Sequence, residues 1–158
     1  MVDIGDDAPG FTAPLANGDV ETFTLSGHLD EAPIVLAFFP AAFTPTCANE
    51  MCEFRDRMAK FEEISATVYG ISVDLPYTLN EFREQHGLTF GLVSDESREV
   101  IDAYGVTDSF SPVNMRVAKR AVFVIDGDGR VTYRWVGDNP KQEPDYEAVR
   151  EAAADAAE

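Results

Sequence analysis

The stretch Pro33-Ile34-Val35-Leu36-Ala37-Phe38-Phe39-Pro40-Ala41-Ala42-Phe43-Thr44-Pro45-Thr46-Cys47 carries the pattern on which the fold turns. Pro33–Phe39 is continuously apolar, the pattern of a short strand buried on both faces. From about Cys47 the period changes. Cys47, Met51, Phe54, Met58 and Phe61 step by 4, 3, 4 and 3, which is one face of a helix. A buried strand therefore runs into a helix through a loop whose freedom Pro40 and Pro45 restrict, and the helix opens on a thiol.

The same two periods alternate along the rest of the chain. Asn17-Gly18 between Phe11–Leu15 and Val20–Leu25 predicts a hairpin at the edge of the fold. Thr67–Val73 reads as a second buried strand. A helix opens at Pro76 and Thr78 and ends at Gly87. Phe90–Val93 reads as a short strand. Ser94 or Asp95 is expected to cap a helix through Val100, Ile101 and Tyr104, with Gly105 as its stop. Ala121–Ile125 is a third strong strand, turned by Asp126-Gly127-Asp128-Gly129 into Val131–Trp135. Tyr146 to Ala157 reads as a terminal helix, partly frayed. Strands alternating with helices predict an α/β fold, a mixed central sheet flanked by helices with an N-terminal β-hairpin. At 158 residues the expectation is one domain, 1–158. Such a chain buries roughly 70% of its unfolded surface, enough for a core without staples.

Composition narrows the partners. Twelve Lys and Arg against 29 Asp and Glu leave a net charge of −17. This surface repels phosphate backbones and anionic lipid, so neither nucleic acid nor membrane is an expected partner. Only Lys60, Lys119 and Lys141 are lysines, and acid excess with little lysine suggests a halophilic, salt-adapted protein. Ile34–Phe39 is the longest apolar run and is too short for a bilayer. The acidic opening Met1-Val2-Asp3-Ile4-Gly5-Asp6-Asp7 does not read as a signal peptide, so the expected location is cytoplasmic. Two cysteines are too few for a secreted disulfide scaffold and should rest as thiols there.

Chemistry concentrates at Cys47. An ordinary thiol, with pKa ~8.5, is only about 3% thiolate at pH 7. A helix N-terminus stabilises the anion by about 0.3–2 kcal/mol. A guanidinium at ~4 Å adds up to a few kcal/mol at an effective dielectric near 20. A nucleophilic Cys47 therefore calls for an arginine at the end of a neighbouring strand. Arg116 and Arg120 both precede Ala121–Ile125, and charge alone does not choose between them. Thr44 and Thr46 offer hydroxyls, one able to cap the helix and the other to orient a polar substrate oxygen. Read without its loop, Cys47 would be a small core residue aligned with Met51 and Phe54.

Pro40-x-x-x-Thr44-x-x-Cys47 resembles the active-site signature of the peroxiredoxins, thiol peroxidases with a thioredoxin-like fold. The resemblance runs over about residues 3 to 150. It includes Gly5-Asp6-Asp7-Ala8-Pro9-Gly10-Phe11, Gly70-Ile71-Ser72-Val73-Asp74, Leu92-Val93-Ser94-Asp95 and Arg120-Ala121-Val122-Phe123-Val124-Ile125-Asp126. It implies that Cys47 attacks the peroxide O–O bond and becomes a sulfenic acid. It implies that Pro40 shields the thiolate, that Thr44 hydrogen-bonds the peroxide, and that Arg120 holds both. Cys52, five residues on, resembles the resolving cysteine of the peroxiredoxin Q or bacterioferritin comigratory subfamily. In that reading a Cys47–Cys52 disulfide forms and a thioredoxin-like protein reduces it. Substrates would be hydrogen peroxide and small alkyl hydroperoxides, with no metal, haem or flavin cofactor, in a monomer or homodimer.

Five residues along a helix separate Cα atoms by roughly 8–9 Å, and a disulfide tolerates ~7 Å. The helix from Cys47 to about Phe54 must therefore unwind for the two thiols to join. Two rival readings stand beside this one. The first is a one-cysteine AhpE-like peroxidase, a branch that also carries Phe-Thr-x-x-Cys followed by a Glu. The second is a non-catalytic peroxide sensor or redox-switched binding module. His28 and His86 are single histidines, one in a turn and one near a helix end. Cys-x4-Cys is not zinc spacing, and Asp126–Gly129 lacks the downstream Glu of a calcium loop.

Overall fold

The computed structural model describes residues 2–110 and 115–157; Met1 of the acidic opening and Glu158 of the acidic tail lie outside them. The elements in order are β1 (Thr12–Ala16), β2 (Val20–Thr24), a 3-10 turn (Leu25–Glu31), β3 (Ile34–Phe38), α1 (Pro45–Asp56), α2 (Met58–Glu63), β4 (Thr67–Ser72) and α3 (Pro76–His86). They continue with β5 (Leu92–Ser94), α4 (Glu99–Tyr104), β6 (Thr107–Phe110), β7 (Met115–Ala118), β8 (Ala121–Ile125), β9 (Val131–Val136) and α5 (Tyr146–Ala156). Seven strands form one sheet in the order β2-β1-β5-β4-β3-β8-β9. β3–β4 and β4–β5 run parallel, whereas β8 is antiparallel to β3 and β9 to β8. This is the expected mixed sheet, with the N-terminal hairpin at one edge.

β3 is buried at every position because both faces of the sheet are covered. Its alternation sorts the core in two. Ile34, Leu36 and Phe38 join Phe23, Val100, Ile101, Tyr104 and Phe123 on one face. Val35, Ala37 and Phe39 join Met51, Phe54, Phe82, Val122, Val149 and Ala153 on the other, under α1, α3 and α5. Gly70 of β4 is what lets α1 lie so close. A Cβ there would stand 2.6 Å from a Leu92 methyl and 3.0 Å from the Met51 sulfur.

Several local expectations need correction. The stripe from Cys47 to Phe61 is not one helix: it breaks at Arg57 (φ −101°, ψ 3°) into α1 and α2. There the Arg57 guanidinium lies over the Tyr146 ring, 5.2 Å from its centroid, and Met58 ends only half-buried. The helix begins at Pro45 rather than Cys47, since proline's missing N–H costs nothing in a first turn. The short strand is Leu92–Ser94, two residues later than Phe90. Neither cap candidate is the N-cap of α4, which is Arg98, but the Asp95 carboxylate satisfies the first-turn amides from outside the helix, accepting from Val100 (3.1 Å) and Ile101 (2.8 Å). β6 and β7 form a separate two-stranded sheet that the apolar patterning does not announce.

Candidate active site

Cys47 is the third residue of α1 and is almost fully buried, at 1% exposure. Arg120 sits directly before β8, which pairs with β3 so that the strand leading into the Cys47 loop and the strand following Arg120 are neighbours. Arg120 Nη2 donates to Cys47 Sγ at 3.2 Å. Nη1 donates to Glu50 Oε1 at 2.8 Å, and Nη2 and Nε both donate to the Pro140 carbonyl, at 2.8 and 3.2 Å. A guanidinium held by three acceptors in a dry site cannot turn away from the sulfur. Arg116, the other arginine before this strand, lies half-exposed and bridges Asp102 at 2.8 Å.

Burial opposes the charge on Arg120, but the fields of Glu50 and Cys47 and its hydrogen bonds to both outweigh it, so its pKa stands above the ordinary arginine value. Burial pushes the Glu50 carboxyl up to about 8, even though Arg120 pulls the other way. Glu50 is completely buried, and its Oε2 has no hydrogen-bond partner among the described residues. Sequence reasoning did not single out Glu50 as a site residue. The signal was present: position 50 is three residues from Cys47, on the helix face that packs inward, and a carboxylate there needs a cation.

The loop is fixed from below. Asp74 Oδ2 accepts from the amide of Ala42 (2.8 Å) and the hydroxyl of Ser72 (2.7 Å). Ser94 Oγ donates to the Asp74 carbonyl at 2.6 Å. Phe43 takes up a left-handed conformation (φ 66°) and sets its ring edge against Phe82, with 5.3 Å between centroids. Thr44 is the N-cap of α1 by position, but its hydroxyl does not cap. It donates to the Ala41 carbonyl at 2.8 Å, which leaves its oxygen lone pairs available.

A cavity of about 130 Å³ opens on the thiol, lined by Pro40, Thr44, Cys47, Arg120, Pro140 and Lys141. It suits a molecule of a few heavy atoms. A cleft of about 450 Å³ shares Pro40, Arg120 and Pro140 with it. Four of the five predicted site residues, Pro40, Thr44, Cys47 and Arg120, thus converge on one cavity. Cys52 does not line it. Cys52 lies on the same intact helix, half-buried, with Sγ 3.7 Å from His86 Nδ1; both cysteines are free thiols. No three His, Cys, Asp or Glu side chains gather as a metal site among the described residues.

Comparison with known proteins sets this geometry in context. The AhpC/TSA family profile matches residues 4–134. The peroxiredoxin Bcp of Bacillus subtilis is 34% identical over 137 residues, 85% of each chain. The crystal structure of peroxidoxin BcpB from Mycobacterium tuberculosis superposes with a TM-score of 0.81 at 32% identity, covering 98% of this chain and 96% of the other. A cysteine-to-serine mutant of the PrxQ of Xylella fastidiosa superposes with a TM-score of 0.84 at 28% identity, over 100% and 99%.

Proposed function

The chain belongs to the AhpC/TSA family, the peroxiredoxins, and on that premise we propose that it runs their thiol-dependent peroxidase reaction on Cys47, with Thr44, Pro40 and Arg120 around it. The observation that carries this reading is the 3.2 Å bond from Arg120 to the sulfur, with both residues lining one small cavity. The Cys47 thiolate attacks the nearer oxygen of a hydroperoxide. The S–O bond forms as the O–O bond breaks, the proton of the attacked oxygen stays on the new sulfenic acid, and the leaving alkoxide or hydroxide takes a proton from solvent. Arg120 is placed to stabilise the sulfur anion and the charge growing on oxygen. The Thr44 hydroxyl accepts from the incoming peroxide, while Pro40 and Pro140 exclude water. No group other than the side chains enters this step.

In the second step Cys52 displaces hydroxide from the Cys47 sulfenic acid, and a thioredoxin-like dithiol protein restores both thiols. α1 runs unbroken through both cysteines, so this step requires its first turns to open. No helix among the described residues is long and apolar enough to cross a membrane. We place the protein in the cytoplasm, where dithiol reductants are at hand. The acid excess supports a salt-adapted habitat, and peroxidases of this size and chemistry would act on hydrogen peroxide and small alkyl hydroperoxides.

Peroxide consumption by the wild type and by Cys47→Ser, with a thioredoxin system at low and at molar salt, tests the proposal. Many turnovers, abolished in Cys47→Ser, are expected. A single stoichiometric oxidation without turnover at any salt would instead assign the site to peroxide sensing.

A further inference from the structure

Cys52 lies outside the peroxide cavity, yet its sulfur has a partner from another element. His86, the last residue of α3, stands 34 positions away in sequence and brings Nδ1 to 3.7 Å from Cys52 Sγ, within reach of a long hydrogen bond to sulfur. The ring is held in place. It packs edge-on against Phe82, with centroids 4.8 Å apart. Its own backbone carbonyl accepts from Arg55 Nη1 at 2.5 Å, which ties the end of α3 to α1. Arg55 also bridges Asp56 through Nε at 2.9 Å. From α1 the pair thus meets the guanidinium of Arg55, and from α3 the apolar ring of Phe82. A helix C-terminus carries partial negative charge, which suits a ring that holds a proton in passing.

We propose that His86 is the base that readies the resolving step, taking the Cys52 proton before that sulfur attacks the sulfenic acid of Cys47. The inference rests on Cys52 being the resolving thiol. The Cys52 S–H bond breaks toward His86 Nδ1, and the Cys52–Cys47 bond forms as the Cys47 S–O bond breaks. The displaced hydroxide recovers the proton from His86 and leaves as water. Cys52 is oxidised and the sulfenic sulfur reduced, so no further oxidant enters. The contact exists while α1 is intact, so the proton is lost before or as the helix opens, and the sulfur reaches Cys47 as a thiolate. An unassisted thiol is about 3% ionised at pH 7, so full ionisation could speed attack by at most ~30-fold, less the lower nucleophilicity of a more acidic thiol.

The test compares wild type, His86→Asn and Cys52→Ser after one equivalent of hydrogen peroxide, with dimedone quenching and mass spectrometry. In His86→Asn, Cys47 should oxidise at the wild-type rate, which also certifies the fold. Conversion of sulfenic acid to disulfide at pH 7 should slow about tenfold, and it should climb more steeply than wild type toward pH 8.5. A disulfide rate and pH profile matching wild type would overturn the proposal while leaving Cys52 as the resolving thiol. A wild type that keeps its sulfenic acid and forms no disulfide would remove both. In a Cys47→Ser background, alkylation of Cys52 by iodoacetamide near pH 7 should also slow in His86→Asn; an unchanged rate counts against the base.

Discussion

Two thiols stand five residues apart on α1 and meet opposite surroundings. Cys47 is buried in the first turn against a guanidinium that Glu50 and Pro140 also hold. Cys52 is half-exposed beyond that cavity, beside an imidazole. The difference maps onto two chemistries. Attack on a peroxide needs a fixed cation in a water-poor site, where charge developing on oxygen is stabilised without reorganisation. Exchange with another protein's thiol needs access, which Cys52 has and Cys47 lacks. The intact helix α1 between them keeps the two apart.

The largest expected effect breaks the Cys47 side of this comparison. Arg120→Ala should lower the rate of Cys47 oxidation by about 10²–10³-fold, the usual cost of removing a positioned donor, whereas Arg120→Lys keeps the charge but loses the fork and should recover only part. Stopped-flow oxidation by hydrogen peroxide reads both, and an alanine variant within threefold of wild type would mean that Arg120 is structural.

A smaller effect tests the separation itself. If the thiols join only after α1 opens, amide hydrogen exchange over residues 47–54 should quicken in the oxidised protein and stay slow in oxidised Cys52→Ser. Equal protection in reduced and oxidised wild type would show that the helix does not open.

The smallest effect concerns Glu50. Burial raises its carboxyl from 4.5 to about 8, so the folded protein holds that proton more tightly than the unfolded chain. Ionising Glu50 therefore costs stability, and the cost grows as pH rises from about 4.5 to about 8. Relative to Glu50→Gln, the wild type should lose stability between pH 5 and pH 8, read as a falling difference in urea midpoints. A difference that is constant with pH would show that Arg120 keeps Glu50 ionised throughout.

What was legible in the chain was local. Pro40, Thr44 and Cys47 share one loop, and their spacing could be read directly. The strands and helices followed from period, because each buries one face or both. The Arg57 break and the β6–β7 sheet were not, since these depend on partners outside the segment. Arg120 was singled out by family resemblance; charge reasoning alone left it level with Arg116. Glu50 was overlooked because a carboxylate on a helix normally points to water, and here its partner stands 70 residues away.

The sequence by itself thus determined the α/β order, the buried strand β3, and a thiol in the first turn of the helix that follows. Those are consequences of apolar period, proline geometry and helix polarity, all encoded over a few neighbouring residues. Only the tertiary structure decided that Pro140 and Glu50 hold Arg120 at the sulfur, and that His86 reaches Cys52. Each of these is a contact between residues far apart in sequence. The pairing of β3 with β8 and the packing of α1 against α3 bring them within hydrogen-bonding range, and no local pattern carries that distance.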